Sequence, residues 1–146
     1  MNVLGYWNPA GRITRLQWWR FQIWAMFSFI AVVFVSINIA YDALRVGFIG
    51  LAVAAFLLTL LVVAVKRLHD RDKSAWWLGI FYGVPFLLDS ASYGVGPGLA
   101  LFLAIPAILL NLWTLIELGF VRGSRGPNQY GEDPTGVELP PPLPSG

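Results

Sequence analysis

Residues 66–77 read KRLHDRDKSAWW, and this stretch decides the fold. Lys66, Arg67, Arg71 and Lys73, the acids Asp70 and Asp72, and His69, the single histidine, occupy eight consecutive positions and run onto the pair Trp76-Trp77. A long apolar run lies on each side. A dense charge cluster between two such runs belongs at the water-facing edge of a membrane. Ionised groups are costly in hydrocarbon, whereas an indole ring with one N–H suits the headgroup zone.

Outward from this cluster, charge is absent from 21–41, 46–65, 74–88 and 90–116. Crossing ~30 Å of hydrocarbon takes a helix of ~20 residues. The first two gaps match that length, the last exceeds it, and the third is short. The chain is 57% hydrophobic and 12% charged, against roughly 25% charged for a soluble domain. A soluble chain of this size buries only about 70% of its unfolded surface and could not hide so much apolar area. The fold class is therefore all-α: a polytopic membrane protein with four transmembrane helices in two antiparallel hairpins. The absence of cysteine excludes disulfides, thiolate metal sites and thiol nucleophiles. A net charge of +2 does not imply nucleic acid, because the basic residues border apolar runs and form no separate basic domain.

The expected order is a cytosolic lead-in over 1–13, helices near 14–41, 46–66, 74–93 and 99–121 within a membrane domain spanning 14–122, a turn-rich cytosolic segment over 123–134, and a disordered Pro-rich tail over 135–146. Thr14 and Gln17 fit a capping box, so the first helix begins there and is retained in the membrane, being too long for a signal-peptide core. Asp42 to Arg45 make a tight link, with the two charges paired at i,i+3. Ser74 is a candidate N-cap of the third helix, and Pro85 kinks it. Glycines and a proline over 94–98 mark an outer loop.

Nine of the ten basic residues fall on one side of this arrangement, leaving Arg45 alone on the other. By the positive-inside rule both termini are cytosolic. Trp18, Trp19, Trp76 and Trp77 sit at the same inner interface as anchors. Arg20 can also lie over Trp24 one turn on.

Three segments meet at that face: 11–15, 66–77 and 123–134. Arginines and lysines beside helix N-termini make an anion site, and lipid phosphates are the nearest abundant anions. The candidate residues for anion or partner binding are Arg12, Arg15, Arg67, His69, Asp70 and Lys73. The plainer reading is that these cations set topology and pair with Asp70, Asp72 and Glu132. His69 beside Asp70 is not a catalytic pair, since neighbours on a helix point about 100° apart. No residue set completes a triad or a metal site, so no catalytic residue, metal or cofactor is expected. Asn111, Thr114 and Glu117 recur at every third position of the last helix. Glu117 should form a buried ion pair with Arg20, Lys66 or Arg67.

Gly11-Arg12-Ile13-Thr14-Arg15 with Trp18-Trp19, then Lys66-Arg67-Leu68-His69-Asp70, then Lys73-Ser74-Ala75-Trp76-Trp77 with Pro85, and finally the stretch GPNQYGEDP at 126–134 resemble the DUF805 family of small bacterial inner-membrane proteins. The resemblance covers 6–134. Lys66 stands where arginine is usual, Ala75 where glycine is usual, and Gln129 where a basic residue is frequent. The resemblance implies a multi-pass protein of the bacterial inner membrane with no established function, and it supplies no catalytic residue.

The preferred expectation is a non-enzymatic membrane protein whose cytosolic-face basic cluster binds anionic headgroups or a partner protein, with a homo-oligomer as one form of partner. A small transporter or channel subunit using Glu117 and Asn111 is the alternative. An enzyme acting on a lipid or phosphate substrate comes third.

Overall fold

The computed structural model describes residues 9–136. Residues 1–8 of the lead-in and 137–146 of the expected disordered tail lie outside the described residues. Helix α1 spans Arg15–Ser36, α2 spans Asp42–Asp70, α3 spans Val84–Ser92 behind a π-helical segment Gly79–Gly83, and α4 spans Pro97–Leu115 and continues as a π-helical segment Ile116–Phe120. No strand occurs among the described residues; Asn128 and Gly131 form one isolated antiparallel bridge. Three helices are long and apolar enough to cross a membrane, Arg15–Ser36, Asp42–Asp70 and Pro97–Phe120.

The capping box forms as the sequence suggests. Gln17 N–H donates to Thr14 Oγ1 at 3.2 Å, and Thr14 N–H donates to Gln17 Oε1 at 2.9 Å. The far end of α1 departs from expectation, stopping at Ser36 instead of reaching 41. There the Asn38 amide donates at 2.8 Å to the Phe34 carbonyl, which the ending helix leaves free, and the Ser36 hydroxyl bonds back at 2.6 Å to the Val32 carbonyl within the last turn. Helix α2 is longer than expected at both ends, starting at Asp42 and running through Asp70. Asp42 sits at the positive end of the helix dipole and pairs with Arg45, so the supposed link becomes the first turn. At the other end Arg67, Leu68, His69 and Asp70 are helical. Charge does not break a helix when the side chains find partners outside it.

Ser74 does not cap a helix. The chain turns at 75–76 and becomes helical at Trp77, whose N–H donates to the Ser74 carbonyl at 3.2 Å, with no side-chain bond from Ser74. The expected kink at Pro85 takes the form of the π-helical turn just before it. Pro85 has no N–H to offer the Phe81 carbonyl four residues back. From α4 the Thr114 hydroxyl lies 3.2 Å from that carbonyl and 2.8 Å from its own Leu110 carbonyl, its one proton shared between them. A partner helix thus serves a carbonyl that the proline leaves unserved.

α1 packs on α2 and α3 packs on α4. The buried apolar cluster gathers where the two pairs meet: Ile13, Trp18, Val63, Leu68, Phe81 and Leu118, with Trp77 and Tyr82 against it. This end, holding 11–15, 63–82 and 114–134, is the polar end of the bundle. Away from it the helices are largely exposed along apolar faces.

Candidate functional site

Every α-helix ends with four carbonyls that lack an internal partner. Here the last carbonyls of the fourth helical segment meet a collar of donors from two other helices. Arg67 Nε donates to the Leu118 carbonyl at 2.7 Å, and its Nη2 donates to that of Val121. Trp19 Nε1 serves Gly119 at 3.0 Å, Arg15 Nη1 serves Phe120 at 3.2 Å, and Arg71 Nη1 serves Arg122. The fit at Gly119 is close, since a Cβ there would lie 3.0 Å from the Trp19 ring and 3.2 Å from that of Trp18. Cations at a negative helix end are doubly favourable, as donors and as counter-charge to the dipole.

Asp70 joins this collar to the loop beyond it. Its Oδ2 accepts from Arg67 Nη1, and its Oδ1 accepts from Arg12 Nε and Nη2 at 3.2 and 3.1 Å. The remaining Arg12 donors go to the carbonyls of Gly126 at 2.7 Å, Ser124 at 2.6 Å and Gly131 at 3.2 Å. The side chains of Arg12, Asp70 and Arg67 are 1%, 3% and 0% exposed. A buried ion pair offsets its desolvation only when the remaining donors are also satisfied, and this triad meets that condition. The main-chain approach is equally close: a Cβ on Gly123 would sit 2.0 Å from Asp70 Oδ2.

The 124–135 segment is held by polar contacts. Ser124 N–H donates to the Asp70 carbonyl at 2.8 Å, and Asn128 Nδ2 donates to the His69 carbonyl and to Ser124 Oγ, both at 2.9 Å. The Tyr130 ring stacks on His69 with centroids 3.9 Å apart and planes 3° from parallel. His69 Nδ1 lies 3.3 Å from the Gly11 carbonyl, a bond made when Nδ1 carries the proton. Asp133 accepts from the Thr135 hydroxyl at 2.6 Å, from Thr135 N–H at 2.9 Å and from Gly126 N–H at 3.0 Å. These bonds hold its carboxyl down at about 2, the Thr135 hydroxyl contributing most. Gly126, with φ 72°, supplies the left-handed turn that lets its carbonyl face Arg12.

α2 itself ends in a Schellman motif. Lys73 N–H returns to the Leu68 carbonyl at 2.9 Å and Asp72 N–H to that of His69 at 3.1 Å, with Asp72 at φ 56° where glycine is usual. The reversal turns Lys73 back over the Trp77 ring, 4.5 Å from its centroid, and onto Glu117, where its Nζ donates at 2.7 Å. Arg71 Nε donates to the same Glu117 oxygen at 3.1 Å.

Several expected residues therefore take different roles. Glu117 is buried in an ion pair, but with Arg71 and Lys73 instead of Arg20, Lys66 or Arg67. The reason is the Schellman turn, which carries 71–73 back toward α4. Asn111 is exposed while Thr114 and Glu117 are buried, so the three do not share one environment. Of the cations, Asp70 takes Arg12 and Arg67, while Asp72 accepts from Gln129 at 3.2 Å. Trp76 is 89% exposed, while Trp18 is buried with an indole N–H that finds no acceptor among the described residues. No group of three His, Cys, Asp or Glu side chains placed to hold a metal occurs among the described residues. Sequence reasoning overlooked Arg71, Asn128 and the carbonyl collar. The unserved carbonyls of any helix end were a signal that donors would be needed there.

The family model for DUF805, described as a protein of unknown function, matches residues 6–132. The chain belongs to this family. It is 31% identical over 136 residues to the uncharacterized protein YiiR of Escherichia coli strain K12, covering 88% of this chain and 86% of that one. It is 30% identical over 137 residues to the inner membrane protein YhaI of the same strain, covering 91% and 88%. No solved structure matches it.

Proposed function

We propose that this is a non-enzymatic, multi-pass protein of the bacterial inner membrane that holds its polar end at the cytosolic surface and binds anionic headgroups there. The observation that carries this reading is the charge left over at the polar end. Nine cations meet five carboxylates there. Asp70 and Glu117 are each buried against two cations. Arg15, Arg20, Arg122 and Arg125 remain exposed around this core. Polybasic surfaces beside membrane spans attract anionic lipids by about 1 kcal/mol per basic residue.

Arg12, Arg67 and Asp70 bond to one another and to main-chain carbonyls, so headgroup binding passes to the exposed arginines. Four crossings are supported by the helix ends. α2 and the segment after α4 both finish at the polar end, and only residues 93–96 separate α3 from α4. The short α3 path must then cover the same depth as α4. An inner-membrane location agrees with the name of the YhaI relative, and the one-sided basic residues support cytosolic termini.

Lipids that co-purify in a gentle extract test the binding. Anionic phospholipid should be enriched several-fold over its share of the membrane, and bulk composition would overturn the reading. The cysteine-free sequence allows a topology test. A cysteine at Gln129 should react with an impermeant thiol reagent only after permeabilisation; labelling in intact spheroplasts would reverse the orientation.

A further inference from the structure

We infer that the cleft between the start of α1 and the segment 122–135 is a site for one phospholipid phosphodiester. This rests on the headgroup reading and narrows it to a single stoichiometric site. The cleft encloses about 420 Å³ and is lined by Thr14, Arg15, Leu16, Asp70, Arg122 and Asp133, among others. That volume lies within the range of small-ligand pockets, roughly 300–1,000 Å³.

Its charges are not balanced internally. Asp70 has both oxygens engaged by Arg12 and Arg67. Arg122 accepts a bond at its main-chain carbonyl, but its guanidinium makes no hydrogen bond or ion pair among the described residues. Arg15 uses one N–H, on the Phe120 carbonyl, of the five a guanidinium offers. Two guanidiniums with donors to spare therefore border one cleft, and their planar forks match the two free oxygens of a phosphodiester. The first turn of α1 carries no acid to compete for them.

Asp133 gives the site a direction. It is the one carboxylate in the cleft without a cationic partner within salt-bridge distance among the described residues. The phosphodiester takes the Arg15 and Arg122 side, and headgroup donors, glycerol hydroxyls or an ammonium, face Asp133. Leu16, 57% exposed, continues the wall along α1 toward the apolar span, where acyl chains would lie. Inorganic phosphate shares the phosphate chemistry but would gain nothing from that wall.

The test is native mass spectrometry of the full chain after exchange into phosphatidylglycerol or phosphatidylethanolamine, with and without inorganic phosphate. Wild type should retain one phosphatidylglycerol. Arg122→Ala should lower its occupancy roughly tenfold, the loss of one charge-assisted hydrogen bond. Arg45→Ala, which removes a cation at the far end of the bundle, should leave occupancy unchanged, and both variants should melt close to wild type because the Arg71 bond at residue 122 uses the main chain and the Arg45 pair is exposed. Arg122-dependent retention of phosphatidylethanolamine in addition to phosphatidylglycerol would support the site with an ammonium facing Asp133. If Arg122→Ala holds as much lipid as wild type while anionic lipid is still enriched, the cleft is not the site and the broader reading stands. No anionic enrichment in wild type overturns both. Displacement by inorganic phosphate at matched concentration would overturn the lipid assignment.

Discussion

The two ends of this bundle are built on different physics. At the polar end Arg67, Leu68, Phe81 and Leu118 are fully buried, and side chains from α1 and α2 serve the main-chain carbonyls of the last helical segment. At the far end polar side chains look after their own helix: Ser36 bonds to Val32, Asn38 to Phe34, and Asp42 to Arg45. The space between α1 and α2 there is an apolar groove of about 570 Å³ lined by Val32, Ile39, Phe48 and Ala52. Lipid tails are as apolar as leucine, so apolar faces in a membrane gain little from meeting each other. Polar groups have no such substitute. The tertiary structure is therefore specified where polar groups must be satisfied and left loose where they are few.

The sharpest way to break this contrast is Asp70→Ala. It leaves Arg12 and Arg67 buried without their shared carboxylate, and removing one partner of a buried pair costs about 3–5 kcal/mol. Thermal unfolding in detergent should show the largest Tm loss of any substitution named here; a change within error would mean the triad does not hold the polar end together. Gly123→Ala should follow at about 1–3 kcal/mol, the usual cost of overpacking, because its methyl group would meet Asp70 Oδ2 at 2.0 Å. The same substitution at Gly47, near the far end, meets nothing within 4 Å and should be neutral or slightly stabilising, as expected for Gly→Ala within a helix.

A pH test sharpens the picture within the polar end. Asp133 has its carboxyl lowered from an ordinary 3.8 to about 2, first by the Thr135 hydroxyl and then by main-chain N–H groups. Because its folded value is depressed, its contribution is complete above about pH 3.8 and is lost as pH falls through about 2. Hydrogen exchange across 124–135, corrected for intrinsic rates, should rise in that window, and Asp133→Asn should show the looser loop at neutral pH. Exchange unchanged in both would remove Asp133 as the loop's internal cap. The smallest effect belongs to the far end. Asp42→Ala deletes an exposed i,i+3 pair and should shift stability by less than ~0.5 kcal/mol; a loss comparable to that of Asp70→Ala would erase the contrast.

Much of the fold was legible in the residues. Charge-free runs marked the helices, and Thr14 with Gln17 marked the start of α1. Local pattern failed at the helix ends. Charge at 67–70 suggests a loop, yet it continues α2, and Ser74 suggests a cap, yet its side chain caps nothing and the helical run starts at Trp77. The candidate site was half legible: Arg12, Arg67 and Asp70 stood out as a group that meets, but their common target did not. Main-chain carbonyls carry no letter in a sequence, so a collar of donors around Leu118 to Arg122 cannot be read from side-chain identity alone.

The sequence by itself determined that this chain is helical and built for a membrane. Hydropathy and charge placement act through solvent, and solvent preference is a property of each segment alone. Only the tertiary structure decided which cation meets which acid, sending Arg71 and Lys73 to Glu117 and binding Arg12 and Arg67 to Asp70. It also decided which arginines remain free at the surface. Those choices follow from how three segments far apart in the chain close around one helix end, and from the need of each buried polar group there to find a partner.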